Sequence, residues 1–191
     1  MHIRAALILA LLTLPACSGV RPPAAPREIL DEQSGNTLSV VAAPLVFARE
    51  RTDVAAHARD YATLVAVEVD HSGKYSEYLL LYRWSTVDRR MSPPPDPSAG
   101  ELRILADGRT IDLQPLERVP IGLSRRRDLH VPEHGDVVAR AYTIDAPTLR
   151  FIAASRALSV RMPQEPLDVP FGLWEDGRAA LGRFAQSAIA P

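Results

Sequence analysis

The sequence predicts a mostly β domain of the β-rich α+β class, built as an antiparallel sandwich or open barrel with a short helix and a C-terminal amphipathic helix. Three observations carry this prediction. Apolar residues recur with a period of two in several segments, short turn sequences join some of these segments, and strands and helices do not alternate regularly. About seven strands are expected in a single domain over residues 37–191 of the 191-residue chain.

The first predicted strand covers Leu38–Ala48 and is interrupted near Pro44, because proline cannot donate to the hydrogen-bond ladder of a sheet. A short helical turn is expected over Thr52–Arg59. A strand follows over Val65–Val69, where valines alternate with other residues and therefore share one face.

The next segment predicts an antiparallel hairpin. Residues 70–73, Asp-His-Ser-Gly, have turn chemistry, and the chain returns as a strand over Tyr75–Ser85. This second strand is apolar on both faces over Leu79–Leu81. That pattern predicts a central strand that is covered on both sides.

A proline-rich segment then separates the two halves of the predicted domain. Residues 91–100 contain four prolines and are expected to form an exposed loop, since proline lacks the N–H that a strand donates. Strands are predicted over Leu102–Ala106 and Thr110–Leu113. The dipeptide Asp107-Gly108 between them favours a two-residue hairpin turn.

The C-terminal part is predicted to contain two strands and two helices. Val137–Ile144 is a strand, and Asp145 is the expected N-cap of a short helix. Leu158–Met162 alternates as a further strand. An amphipathic helix over Glu175–Ile189 is expected to pack on the sheet through an apolar stripe, formed by Leu181, Phe184, Ala185 and Ala188.

An apolar run near the N-terminus predicts an export signal. Ala5–Leu12 is uninterrupted and follows Arg4; it is too short to span a bilayer but has the length of a signal-peptide core. The small residue Ala16 stands directly before Cys17, which is the sole cysteine of the chain. We therefore expect removal of the N-terminal segment on export.

The residues Leu14-Pro15-Ala16-Cys17 resemble the lipobox of bacterial lipoprotein precursors, over residues 1 to about 20 only. The resemblance implies a signal peptide over residues 1–16, cleavage between Ala16 and Cys17, and a diacylglycerol and an N-acyl chain on Cys17. Ser18, where an aspartate retains enterobacterial lipoproteins in the inner membrane, implies an outer-membrane location. The protein is thus expected on the periplasmic side of the bacterial cell envelope.

Residues 17–36 are predicted to be the acylated cysteine and a tether. They contain three prolines and few large apolar residues. Fully extended at about 3.1 Å per residue, the tether would reach roughly 60 Å. The domain would then stand clear of the lipid.

Composition limits the possible partners. The formal net charge is −1, which makes nucleic acid a poor candidate because phosphate-binding proteins normally carry a basic face. Acylation of Cys17 leaves no thiol for a disulfide, so the fold must rest on its core. No cofactor is predicted apart from the covalent lipid, and the oligomeric state stays open.

One segment matches the sequence motif of a metal site. Residues 130–134 read H-x-x-E-H, the inverted zinc-peptidase signature, in which both histidines bind the metal and the glutamate activates water. This chemistry requires a helix, and Pro132 and Gly135 disfavour one. His130, Glu133 and His134 are therefore weak metal candidates, and an exposed loop is the favoured interpretation.

Two other groups are candidate binding residues. The cluster Arg125, Arg126 and Arg127 could meet lipid phosphates or an acidic partner, although neighbouring acidic residues favour a solvated loop. Four aromatic residues could line a ligand pocket, although aromatic residues on strand faces usually fill the core; they are Tyr78, Tyr82, Trp84 and Trp174.

The motifs of common hydrolases are missing from the sequence. It contains no G-x-S-x-G and no S-x-x-K, and acylation of Cys17 removes the one thiol nucleophile. We expect a non-enzymatic, lipid-anchored periplasmic domain that binds another protein or envelope component, or serves as an accessory subunit. The alternatives are a metal-dependent hydrolase using His130–His134 and a carrier of a small apolar ligand.

Overall fold

A computed structural model describes residues 24–87, 100–124, 126, 128–133, 137–162 and 169–188. The fold is mostly β, with 47% of residues in strands and 13% in helices, and the antiparallel sheet is not closed into a barrel. This confirms the predicted fold class. None of the helices in the described part of the chain is long and apolar enough to cross a membrane.

The described residues form ten strands and two α-helices. In chain order they are β1 (Arg27–Asp31), β2 (Asn36–Val40), β3 (Leu45–Glu50), β4 (Arg59–His71), β5 (Lys74–Ser85), β6 (Leu102–Ala106), β7 (Arg109–Leu113), β8 (Val138–Thr143), α1 (Ala146–Ala154), β9 (Leu158–Arg161), β10 (Phe171–Glu175) and α2 (Arg178–Ser187).

The long hairpin of β4 and β5 organises the sheet. β5 pairs along one edge of β4, while β2 and β3 share the other edge, β2 opposite residues 67–70 and β3 opposite residues 59–64. From β3 the sheet continues through β10, β9, β6 and β7, and β8 lies beyond β5. The chain after β7 returns to β8, where Leu116 N donates to Ala141 O at 2.8 Å.

Both faces of the central hairpin are covered. Leu79, Leu80 and Leu81 are each at most 2% exposed, which confirms the prediction that β5 is a central strand. The helices add to the same core, through Leu149, Ile152, Leu181 and Phe184. Burial of each such side chain contributes about 1.5–3 kcal/mol to folding.

The helix starts depend on local chemistry. Asp145 is the N-cap of α1, as predicted, because its Oδ1 accepts a hydrogen bond from Thr148 N at 2.8 Å. α2 begins after Gly177 and not at Glu175 as expected. A Cβ at Gly177 would lie 2.2 Å from Pro44 O, so glycine allows the first turn of α2 to approach the loop before β3.

The expected helical turn over Thr52–Arg59 is shorter in the structure. Ala55 N donates to Arg51 O at 3.2 Å, which closes a single turn. β4 already begins at Arg59, because this residue pairs with Glu50 of β3.

The predicted tether over residues 17–36 is too long. β1 starts at Arg27 and pairs with β2 from Arg27 opposite Val40 to Asp31 opposite Asn36. The sheet therefore includes residues that the sequence assigned to the tether, and the domain starts by Arg27, not at residue 37. Cys17 and the residues up to 23 lie outside the described part of the chain.

Glu68 is a buried carboxylate at the end of the central hairpin. It is 8% exposed and lies opposite Glu77 of β5. Burial, and then the negative charges of Glu77 and Asp70, raise the pKa of Glu68. Ionisation of this carboxylate is therefore more costly in the folded protein than in the unfolded chain.

We expect Glu68→Gln to be more stable than the wild type at pH 7. An acid with a raised folded-state pKa destabilises the fold above that pKa, and this penalty disappears as the pH falls below the unfolded value of about 4.3. Urea unfolding at pH 7 and pH 4 measures the effect, with Glu175→Gln as an exposed control. A lower stability of Glu68→Gln at pH 7 would contradict this assignment.

Candidate interaction surface

Three aromatic rings meet at the end of the sheet where β4 begins. Tyr61 of β4 and Trp84 of β5 are cross-strand neighbours, and their rings stack with centroids 4.0 Å apart and planes 7° apart. Trp174 of β10 meets Tyr61 edge to face, with centroids 6.2 Å apart. Tyr61 is 9% exposed and Trp174 is 53% exposed. The stacked Tyr61–Trp84 pair therefore supports the Trp174 ring, which faces solvent.

Trp174 lies in a β-bulge of β10. Leu173 pairs with Phe47, but Glu175 pairs with the adjacent residue Val46, so Trp174 is the extra residue of β10. Bulges change the direction of a side chain and are frequent beside functional sites. Phe171, earlier on the same strand, is buried, so the bulge coincides with the change from core to surface.

Arg59 completes the aromatic group. Its guanidinium carbon lies 4.8 Å from the centroid of the Trp174 ring, within the range of a cation–π contact. Arg59 Nη2 also lies 3.4 Å from Glu50 Oε1, and its backbone N donates to Thr86 Oγ1 at 2.9 Å. We call Arg59, Tyr61, Trp84 and Trp174 the aromatic surface.

The opposite face of the same strand ends carries a buried charged group, which we call the arginine cluster: Arg49, Arg51, Asp60 and Arg83. Arg49 Nη2 and Arg51 Nη1 lie 2.9 and 3.0 Å from the same oxygen, Asp60 Oδ2. The Arg49 guanidinium also lies 4.4 Å from the centroid of the Phe171 ring. These contacts join β3, β4 and β10 at one end of the sheet.

The pKa values of the arginine cluster follow from burial and charge. Burial acts to raise the pKa of Asp60, but hydrogen bonds from Arg49, Ser85 and Arg51 outweigh it and hold this pKa below its usual range. Burial and the charge of Arg49 lower the pKa of Arg83 to about 10. Asp60 therefore remains ionised at neutral pH and binds the arginines. We assign the cluster a structural role.

The structure places the predicted metal candidates in irregular backbone. His130 has a φ of 56°, which a right-handed helix does not allow, and its Nε2 lies 2.9 Å from Val41 O. Glu133 is exposed and His134 lies outside the described residues. Among the residues that are described, no group of three side chains could hold a metal ion. The loop interpretation of this segment agrees with the structure.

Arg126 is the one member of the predicted basic cluster that lies in the described part of the chain. Arg126 Nη2 lies 2.8 Å from Asp128 Oδ2, and Arg126 Nη1 lies 3.6 Å from Asp31 Oδ1. The hydrogen bonds that Arg126 donates to the Asp128 carboxylate raise the pKa of Arg126. Its guanidinium thus binds carboxylates of the same chain, while Arg125 and Arg127 lie outside the described residues.

The four aromatic residues singled out in the sequence divide between core and surface. Tyr82 is buried, and this burial raises its pKa to about 12; Tyr78 packs against the core. Trp84 and Trp174 instead belong to the aromatic surface. Tyr61 was missed, although it continues the alternation of Val65–Val69 toward the start of β4.

Comparison with known proteins gives no match: no family model, no curated protein and no solved structure matches this chain. Its function must therefore be inferred from the chemistry of its own residues. The aromatic surface combines solvent exposure with fixed side-chain geometry.

Proposed function

We propose that the mature protein is a lipid-anchored component of the bacterial cell envelope. The lipobox resemblance around Cys17 supports this attachment, and Ser18 supports the outer membrane as its location. A single acyl chain gives only marginal binding, at about 0.8 kcal/mol per buried CH₂, whereas several chains on one cysteine make attachment stable. The domain then remains on the periplasmic side.

The domain binds another envelope protein through the aromatic surface. The observation that carries this proposal is Trp174, half exposed yet held by the Tyr61 ring and the Arg59 guanidinium. Tryptophan, tyrosine and arginine dominate the energetics of protein interfaces. A ring that is already fixed loses little conformational entropy on binding. We assign the protein a non-enzymatic role as a binding module or accessory subunit.

The two alternative functions have less support. A metal-dependent hydrolase would need His130, Glu133 and His134 to converge on one ion, and the His130 ring contacts the Val41 carbonyl. A carrier of an apolar ligand would need a cavity lined by the strand aromatic residues, of which Trp84 is stacked on Tyr61.

The partner is best captured next to Trp174. A photo-crosslinking amino acid at the exposed position Glu175, in cells that make the protein at native abundance, should give a discrete adduct with an envelope protein. Trp174→Ala in the same protein should remove this adduct, because loss of such an anchor commonly costs 2 kcal/mol or more, about 30-fold in affinity.

Tyr75→Ala is the matched control, because Tyr75 is 54% exposed and Trp174 is 53% exposed, but Tyr75 lies at the other end of the central hairpin. The adduct should persist in this variant. Both variants should unfold at nearly the wild-type urea concentration. Recovery of monomer alone, or an unchanged adduct in Trp174→Ala, would refute the proposal.

A further inference from the structure

A row of polar side chains crosses four strands of the sheet near the turn between β4 and β5. Glu28 of β1 lies opposite Ser39 of β2, and Ser39 lies opposite Glu68 of β4. Glu68 in turn lies opposite Glu77 of β5. Residues that are directly opposite in an antiparallel sheet share one face. We call Glu28, Ser39, Glu68 and Glu77 the acidic row, and Asp70, two residues after Glu68, adds a carboxylate on the same face.

The carboxylates of the acidic row lack a cationic partner within the described chain. No hydrogen bond or ion pair joins the side chains of Glu28, Glu68 or Glu77 to another residue that the structure describes. Glu68 is nevertheless only 8% exposed, and like charges directly opposite each other on a sheet destabilise the pair. The fold therefore holds a buried negative charge that the described residues do not neutralise.

The geometry of the acidic row suits an organic cation. Among the side chains in the described ranges, no group of three could hold a metal ion. An ammonium or guanidinium group donates several hydrogen bonds, so one such group can bridge Glu68 and Glu77, whose Cβ atoms are about 5 Å apart as cross-strand neighbours. Hydrogen bonds between charged groups are stronger than neutral ones, and the burial of Glu68 strengthens them further.

The neighbouring row on the same face favours a polypeptide as the carrier of this cation. By the same strand pairing, this row contains Leu30, Thr37, Asp70 and Tyr75. Its two end residues, Leu30 and Tyr75, are 63% and 54% exposed, and three strand spacings place them about 14 Å apart. A polypeptide can present apolar side chains to these positions together with a basic one, whereas a small amine cannot.

We propose that the acidic row binds an extended basic segment of a second protein, with an arginine or lysine side chain placed between Glu68 and Glu77. This contact is separate from the aromatic surface. Glu68 lies seven residues along β4 from Tyr61, which is about 23 Å, and the odd separation puts their side chains on opposite faces of the sheet. The proposal does not depend on acylation of Cys17. The domain thus has room for two partners at once.

Binding of a synthetic peptide tests this contact. The probe is a fluorescently labelled, terminally blocked peptide of alternating arginine and threonine, titrated with the full chain at low ionic strength and followed by fluorescence anisotropy. Glu68→Gln should weaken its binding at least about tenfold, because one partner of a buried charge pair is lost. This variant is expected to be more stable than the wild type, so unfolding would not explain the loss. Glu175→Gln makes the same change of charge at an exposed position and is the control.

The arginine peptide should bind the wild type and Glu175→Gln with equal affinity, and a peptide with citrulline in place of arginine should bind neither. Equal affinity of the arginine peptide for the wild type and Glu68→Gln, or no saturable binding to the wild type, would overturn the proposal. Spermidine that displaces the peptide at an equal concentration would identify a small polyamine as the ligand and would overturn the assignment of a protein partner.

Discussion

Replacement of Asp60 by asparagine is expected to destabilise the domain by about 3–5 kcal/mol. The substitution keeps the shape of the side chain but removes the charge that Arg49 and Arg51 share. All three residues are buried, so the guanidinium groups would keep the cost of desolvation without their common carboxylate. A large loss is therefore expected from one change of charge.

Urea unfolding at pH 7 measures this loss, with Asp112→Asn as the control. Asp112 Oδ1 lies 2.6 Å from Arg103 Nε, in a pair that is much more exposed, and exposed pairs contribute at most about 1 kcal/mol. The contribution of Asp60 is present above the unfolded pKa of about 3.9 and is lost as the pH falls through its lowered folded pKa. Equal unfolding midpoints for the two variants at pH 7 would contradict the structural role of the cluster.

Substitution of Cys17 by serine is expected to abolish the incorporation of labelled palmitate and to release the domain from membranes. A serine hydroxyl cannot replace the thiol that receives the diacylglycerol, so the hydrophobic contribution of about 0.8 kcal/mol per buried CH₂ disappears. Metabolic labelling and membrane fractionation provide the measurement. Ser18→Ala keeps the cysteine and should keep the label. Continued labelling of Cys17→Ser would show that the acyl chain is attached elsewhere.

The sequence was sufficient for the elements whose signals are local. The alternating valines and the turn at residues 70–73 predicted the β4–β5 hairpin, and Asp107-Gly108 predicted the β6–β7 hairpin; the structure confirms both. Asp145 was recognised as a cap because capping needs only a side chain near the first turn of a helix. In each case the deciding residues lie within one short segment.

Two strands were not predicted, because they form only through pairing with other segments of the chain. β1 has charged residues at three of its five positions and becomes a strand through its pairing with β2. β10 is only five residues long, contains Gly172 and is bulged, so its apolar residues do not alternate. Both strands gain their backbone partners from the tertiary fold, which short-range periodicity does not report.

The candidate surface was the least predictable part of the molecule. Trp84 and Trp174 were expected in the core, because large aromatic residues on strands usually pack there. The bulge that contains Trp174 arises where β10 pairs with β3, more than 120 residues away in the chain. The burial of Arg49 and Arg51 likewise depends on Asp60, the carboxylate of a neighbouring strand.

Mass spectrometry of the N-terminal peptide, from protein isolated from bacterial membranes, tests the anchor most directly. A lipid-anchored protein should begin at Cys17, and this residue should carry the added mass of a diacylglycerol and a fatty acyl chain. A mature N-terminus at another residue, or an unmodified Cys17 on freely soluble protein, would contradict the proposed attachment.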